Sequence, residues 1–381
     1  MRLLSEREER AVENMYPQAL ELIRALCAMP APSHHEERRA AFVRSWFEQR
    51  GMHAQIDEAK NVLIPMGLDE HEEIVVVMAH TDTVFPDMEP LPYREEDGRL
   101  LCPGVGDDTT NLAAMMLLAA YLHETGAKPR CGVLFAADSC EEGLGNLKGC
   151  KAIMNAYGPR VKAFVSLDGD VTQVCTQAVG SARYRITART QGGHSFADFG
   201  NRSAIAVLAK ITCALYSQRL PEYLGSTTTY NVGTVEGGTS VNTIAQRAQM
   251  LYEYRSNNAD CLRVMEQQMY AILRENTPRD AQVELELLGV RPCAEHVDLN
   301  RQKELSSLCM DALKRYTGRM PILASGSTDC NIPLSMGVPS ACFGVYIGAG
   351  EHTREEWVKA DSIPDGMKAA LSVLLTWFEA A

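Results

Sequence analysis

Histidine and carboxylate residues fall in five short clusters of this chain, and four of these stand at the end of an apolar run. His80-Thr81-Asp82 follows IVVVMA, and Glu141-Glu142 follows CGVLFAA by way of Asp138, Ser139 and Cys140. Asp168 follows AFVSL, and Glu351-His352 follows FGVYIGAG. The fifth cluster, Gly104-Val105-Gly106-Asp107-Asp108, opens onto a long apolar stretch near Asn111. Residues i and i+2 of an extended chain project to one side. The Asp82 carboxylate can therefore lie against the His80 imidazole, which fixes a ligand's tautomer and raises its basicity. Singly, each cluster has an ordinary structural explanation as a satisfied pair near a turn, a helix cap or a solvated face. Together, His80, Asp107, Glu142, Asp168 and His352 offer two imidazoles and three carboxylates, a donor set suited to Zn²⁺, Mn²⁺ or Co²⁺. Two divalent cations sharing one carboxylate bring four positive charges, of which the three carboxylates remove three. A bridging hydroxide removes the fourth, and a metal-bound water has its pKa lowered toward ~7.

The elements that would position these groups are legible from texture. IVVVMA, CGVLFAA and AFVSL are short, continuous, β-branched-rich runs, as expected of strands buried on both faces. Between the first two lies LAAMMLLAAYLHET (112–125), long enough for a buried crossover helix, so strand, helix and strand imply βαβ units and a parallel sheet. Functional groups of open α/β sheets gather at the carboxyl ends of such strands. After residue 180 the texture changes. RYRITART, TTTYNVGTVEGG, RAQMLYEYRS and QVELELL alternate apolar with polar, with helical stretches around 203–218 and 258–275 between them. That β-α-β-β-α-β order is the signature of a ferredoxin-like α+β unit. From about 295 the first texture returns, with a helix at 302–316, the run SACFGVYI and a closing helix near 365–380. The expected architecture is α/β. A mixed, mostly parallel sheet flanked by helices would be built from residues 1–179 and 292–381, with an α+β domain, 180–291, inserted. Ser33-His34-His35-Glu36 reads as a capping box ahead of a helix through Ala41, Phe42, Val43 and Trp46.

Composition narrows the partners. The chain has 381 residues, a comfortable length for two domains, and 37 Lys+Arg against 49 Asp+Glu give a net charge of −12. An acidic chain is a poor nucleic-acid binder, which needs a basic face. No uninterrupted apolar stretch is long enough for a membrane span. The charged start, MRLLSEREER, lacks the core of a secretion signal, and the 12 cysteines are scattered without a CxxC pair, so a cytoplasmic location with reduced thiols is expected.

The ordered set HTD, GDD, EE, LD and late EH resembles the M20 family of co-catalytic zinc metallopeptidases and amidohydrolases, most closely the branch with peptidase T and the glutamate-releasing carboxypeptidases. The resemblance covers nearly the whole chain. It implies a zinc exopeptidase-like catalytic domain with an inserted lid that also forms a homodimer interface. It further implies two metal ions per chain, zinc with manganese or cobalt as alternatives. His80, Asp107 and Asp168 match ligand positions, with Glu142 and His352 on the other metal and Asp107 bridging the two. Asp82 would orient His80, Glu141 would be the general base, and a non-proline cis peptide would follow Asp107. In Gly192-Gly193-His194-Ser195, His194 matches the histidine that reaches the partner subunit's active site and stabilises the oxyanion. Asn242 and Arg255, thirteen residues apart, match the pair that holds a substrate carboxylate, for which Arg offers a bidentate fork. Ser325-Gly326-Ser327-Thr328-Asp329 resembles the family's loop near the substrate terminus, placing Ser327 among the substrate contacts. The chain departs from the family at Thr109-Thr110-Asn111, where Lys-Gly or Lys-Ala-Gly is usual. Asp168 in place of Glu fits the aminopeptidase-like members while Arg255 fits the carboxypeptidases, leaving substrate polarity open.

The function so implied is hydrolysis of the amide bond of a di- or tripeptide-sized substrate by a metal-bridging hydroxide, with Glu141 as base. The alternative on the same fold is an amidohydrolase acting on an N-acyl amino acid or a small carbamoyl compound. Two further readings are a non-catalytic interaction protein on this scaffold and a cysteine hydrolase using Cys140. The acids beside that thiol would raise its pKa and disfavour the latter.

Overall fold

Ile74–His80 and Gly132–Asp138 are buried at every position and pair in parallel from Ile74 opposite Gly132 to His80 opposite Asp138. Their side chains alternate between two cores. Val75, Val77, Ala79, Val133, Phe135 and Ala137 join one, while Ile74, Val76, Met78, Leu134 and Ala136 join the other. A strand with a core on each side has no wet face, which is why these runs are apolar throughout. Each fully buried Val, Ile or Phe side chain is worth about 1.5–3 kcal/mol of burial.

These strands are central to an eight-stranded mixed sheet. Its order is Gln55–Ile56, Val62–Met66, Gly132–Asp138, Ile74–His80, Val161–Leu167, Ser340–Phe343, Gln173–Ala178 and Ile322–Gly326. Val161–Leu167 pairs in parallel with Ile74–His80 and with Ser340–Phe343, whereas Val62–Met66 runs antiparallel to Gly132–Asp138. One face is covered by helices Glu6–Cys27, Asn111–Glu124, Leu299–Thr317 and Ile363–Leu374, the other by Lys148–Tyr157 and the short helix Asn331–Ser335. Asn111–Glu124 is buried on nearly all sides, so its sequence lacks a polar stripe. A smaller sheet pairs Gly348–Ala349, Trp357–Lys359, Arg99–Leu101 and Arg94–Glu96.

This computed structural model describes residues 1–379 and divides into two compact units, Met1–Ala178 with Glu295–Ala381, and Val179–Ala294. In the second unit four antiparallel strands stand in the order Thr228–Gly237, Arg247–Ser256, Gly180–Arg189, Gln282–Arg291. With helices Ala204–Tyr216 and Ala259–Asn276 this is the ferredoxin-like arrangement. Tyr184, Ile186, Met250, Tyr252 and Tyr254 turn one sheet face onto Val207, Leu208, Ile211, Met265 and Met269 of the helices. The alternate residues Arg183, Arg185, Glu253 and Arg255 occupy the other face. A two-stranded ribbon pairs Gly193–His194 with Thr243–Ile244. Among the described residues no helix is long and apolar enough to cross a membrane.

The capping box expected at Ser33–Glu36 does not form. Helix Glu37–Glu48 begins after Glu36 without a side-chain cap, and Ser33 donates instead to a carboxylate 49 residues away. A capping box is present at Ser5 and Glu8, heading helix Glu6–Cys27.

Candidate metal centre

The strand ends and two loops bring the ligand-type residues of the first unit into one cluster. Ile74–His80 ends on His80, Gly132–Asp138 leads through Ser139 and Cys140 to Glu141 and Glu142, and Val161–Leu167 is followed by Asp168. His80 Nε2 lies 2.8 Å from Asp107 Oδ1. His352 Nε2 lies 3.0 Å from Asp107 Oδ2 and 3.3 Å from Glu142 Oε1. Each Asp107 oxygen thus faces a different imidazole. Donor atoms of His80, Asp107 and Asp168 fall within 4.8 Å of one another, as do those of Asp107, Glu142 and His352, and those of His80, Glu141 and Glu142. Asp107 is common to the first two groups.

Asp82 lies behind this cluster. Its Oδ1 is 3.4 Å from His80 Nδ1, its main-chain oxygen 3.0 Å from the same nitrogen. The carboxylate also accepts the N–H of Glu141 at 3.0 Å, the N–H of Glu142 at 3.1 Å and the Ser33 hydroxyl at 2.6 Å. One buried carboxylate therefore orients the imidazole and fixes the backbone of the glutamate pair. Next to it, the Asp107–Asp108 peptide is cis. Asp108 accepts the His80 N–H at 2.9 Å and the Asn111 amide at 2.7 Å.

The cluster favours positive charge. Burial, with the Asp107 charge adding to it, pushes the Asp168 carboxyl up to about 7. Burial also raises Glu142. Burial would raise Asp107 too, but hydrogen bonds to His352 and His80 hold it below the usual carboxylate range. Hydrogen bonds to Asp107 and Glu142 push His352 up to about 11. Glu142 Oε1 is buried and has His352 Nε2 at 3.3 Å. Two imidazoles and three carboxylates, one with both oxygens engaged, form a donor set that can hold two divalent cations.

The remaining candidates are distributed over both units. Glu141 is buried beside Glu142, its N–H on Asp82. Cys140 is fully buried, donates to Glu36 Oε1 at 3.1 Å and lies 3.3 Å from His34 Nδ1. Burial and the Glu36 carboxylate push its thiol up to about 12, so it is no thiolate nucleophile. Ser327 is half-buried just past strand Ile322–Gly326. In the second unit, His194 is exposed and its Nδ1 accepts the N–H groups of Phe196 and Ala197, both at 3.2 Å. That places the proton of the neutral ring on Nε2. Asn242 is exposed and its main-chain oxygen accepts the Ser195 N–H at 3.0 Å. Arg255 makes a fork with Glu253, Nε to Oε1 at 2.9 Å and Nη2 to Oε2 at 3.1 Å.

Three supporting residues escaped sequence reasoning: Ser33, Asn111 and Glu356. Ser33 and Glu356 act across 49 and about 250 residues of chain, and no local pattern marks them. Glu356 in EHTREEW reads as part of a solvated charge run, yet it is 1% exposed.

A family model described as peptidase family M20/M25/M40 matches residues 76–376. The uncharacterized protein YqjE of Bacillus subtilis (strain 168) is 23% identical over 373 residues, 93% of this chain and 97% of that protein. The aminopeptidase PepT of Bacillus cereus ATCC 10987 superposes with a TM-score of 0.73 at 21% identity, covering 94% of this chain and 97% of that one. A tripeptidase of Staphylococcus aureus subsp. aureus mu50 gives 0.76 at 20% identity with the same coverage, so both share the fold.

Proposed function

The chain belongs to peptidase family M20/M25/M40 and is a hydrolase, a peptidase or amidohydrolase; from that premise we propose that it is a co-catalytic di-zinc exopeptidase acting on di- or tripeptides. His80, Asp107 and Asp168 would hold one cation, and Asp107, Glu142 and His352 the other, with manganese or cobalt as alternatives to zinc. When bound, such cations acidify water and polarise a carbonyl. Glu141 takes a proton from the attacking water and returns it to the leaving amine. Its grip is set by Asp82, which holds the Glu141 N–H and faces His80. His194 offers its Nε2–H to the developing oxyanion of the neighbouring subunit's substrate, in a homodimer formed through the inserted lid, 180–291. Arg255 and Asn242 receive a substrate carboxylate, with Ser327 near the substrate terminus. The location consistent with this reading is cytoplasmic.

The observation that carries the reading is Asp107, whose two oxygens meet two imidazoles within reach of Glu142 and Asp168. Glu141→Gln tests it. Turnover of a dipeptide should be lost while two metal ions per chain remain by elemental analysis, and retained turnover would remove Glu141 from the chemistry. A panel of di- and tripeptides beside N-acyl amino acids separates the peptidase from the amidohydrolase. Dimers mixing His194→Ala with Glu141→Gln subunits should recover activity if His194 acts in trans.

A further inference from the structure

Glu356 binds three main-chain N–H groups with one carboxylate. Oε2 accepts Gly104 at 2.5 Å, and Oε1 accepts Gly106 at 2.8 Å and Asp107 at 2.9 Å. All three amides belong to the turn that presents the Asp107 side chain. Converging backbone N–H groups form a concavity for an anion, and charged acceptors make the stronger hydrogen bonds. The glycines permit the convergence. Gly104 has φ 76°, and a Cβ on Gly106 would stand 2.5 Å from Tyr346 Oη and 3.0 Å from Glu356 Oε1.

The segment that carries Glu356 also carries His352, four residues earlier, whose Nε2 meets Asp107 and Glu142. It is pinned elsewhere as well. Glu351 accepts the Tyr346 hydroxyl at 3.2 Å, and Arg354 pairs with Asp87 at 2.7 Å. One short strap thus brings an imidazole to one side of Asp107 and clamps the backbone on the other.

We propose that Glu356 is a positioning residue, setting the Asp107 carboxylate relative to His352 and so fixing the geometry of the shared ligand. This rests on the reading of Asp107 as the ligand common to two cations. Glu356 itself touches neither substrate nor cation. In Glu356→Gln the remaining oxygen still serves Gly106 and Asp107, while the new amide opposes the Gly104 N–H, donor against donor. The turn should stay folded and lose its register.

The test uses the full chain, titrated with Zn²⁺ against a chromophoric chelator, alongside kcat and KM on a dipeptide at saturating zinc and the melting of the metal-free protein. Glu356→Gln is expected to melt within a few degrees of the parent when metal-free, to bind zinc ~10–100-fold more weakly, and to lose kcat with KM little changed. Glu356→Asp keeps the charge with a shorter reach. It should recover part of the zinc affinity, and it carries the test if the glutamine variant does not fold. Parent-like zinc affinity and kcat in a variant whose metal-free melting has dropped would overturn the proposal, leaving Glu356 a purely structural residue. Asp107→Ala is the control for the underlying reading. If it binds zinc like the parent, the metal centre fails irrespective of Glu356.

Discussion

A single carboxylate, Asp82, joins both halves of the chemistry. It faces His80 and holds the N–H groups of Glu141 and Glu142, with Ser33 completing its coordination. Partners of this kind typically account for 10–100-fold in metal affinity. Asp82→Asn retains the shape but turns an amide N–H₂ toward at least one donor. Zinc affinity should fall ~10–100-fold by chelator competition, and kcat should fall with it because the Glu141 backbone loses its anchor. Unchanged affinity would mean that His80 needs no such partner. Cys140 lies two residues from Glu142, yet its chemistry is closed off by burial and by Glu36. Cys140→Ala should keep peptide turnover within about threefold and cost about 1 kcal/mol of stability, the usual scale for a small buried truncation. Loss of turnover with metal content intact would bring back the cysteine hydrolase.

At the scale of elements, the polar face of the four-stranded sheet carries a charge row that links strands. Arg255 forks onto Glu253 on its own strand, and Arg183 of the neighbouring strand reaches the same carboxylate at 3.5 Å. Partial burial pushes the Glu253 carboxyl up, but Arg255 and then Arg183 pull it below its ordinary value. A carboxyl whose folded pKa is depressed adds stability above its unfolded value, about 4.3, and loses it as pH falls through the folded value. The parent should therefore outlast Glu253→Gln in thermal melts at pH 7, and the gap should close as the pH falls through the depressed folded value of Glu253. A gap independent of pH would show that the pair contributes nothing through charge. The alternating strands of this unit were readable because one face is wet, and the central strands of the large sheet because neither face is. Gln173–Ala178 and Ile322–Gly326 gave no such signal. The latter is a sheet edge whose Ile322 and Leu323 are exposed, so neither alternation nor a buried run marks it. The two- and three-residue strands around Trp357–Lys359 exist only through tertiary pairing. The ligand-type residues stood out because each follows an apolar run or opens a helix. Ser33 misled because its capping pattern was sound, but its hydroxyl is turned to donate to the charged Asp82 carboxylate rather than to cap the first turn of helix Glu37–Glu48.

Across the whole molecule, the two units have separate cores, and every ligand-type residue of the metal cluster belongs to the unit Met1–Ala178 with Glu295–Ala381. A ligand that binds only the folded state stabilises it by RT ln(1 + [L]/Kd), about 4 kcal/mol at a thousandfold excess over Kd, or on the order of 10 °C in a domain of this size. That gain should belong to one unit. The sequence supplies its own reporter, because all three tryptophans, Trp46, Trp357 and Trp377, lie in the unit that carries this ligand-type cluster, while the inserted unit holds tyrosines such as Tyr184, Tyr252 and Tyr254. Tryptophan fluorescence therefore follows the melting of the unit Met1–Ala178 with Glu295–Ala381 alone. Stripping metal with a chelator should lower that transition by on the order of 10 °C, and zinc should restore it. A calorimetric transition without a tryptophan change, assigned to Val179–Ala294, should keep its midpoint. If both transitions move together, the units unfold as one cooperative body. If the tryptophan transition ignores the chelator, the cluster around Asp107 holds no ion that matters to the fold.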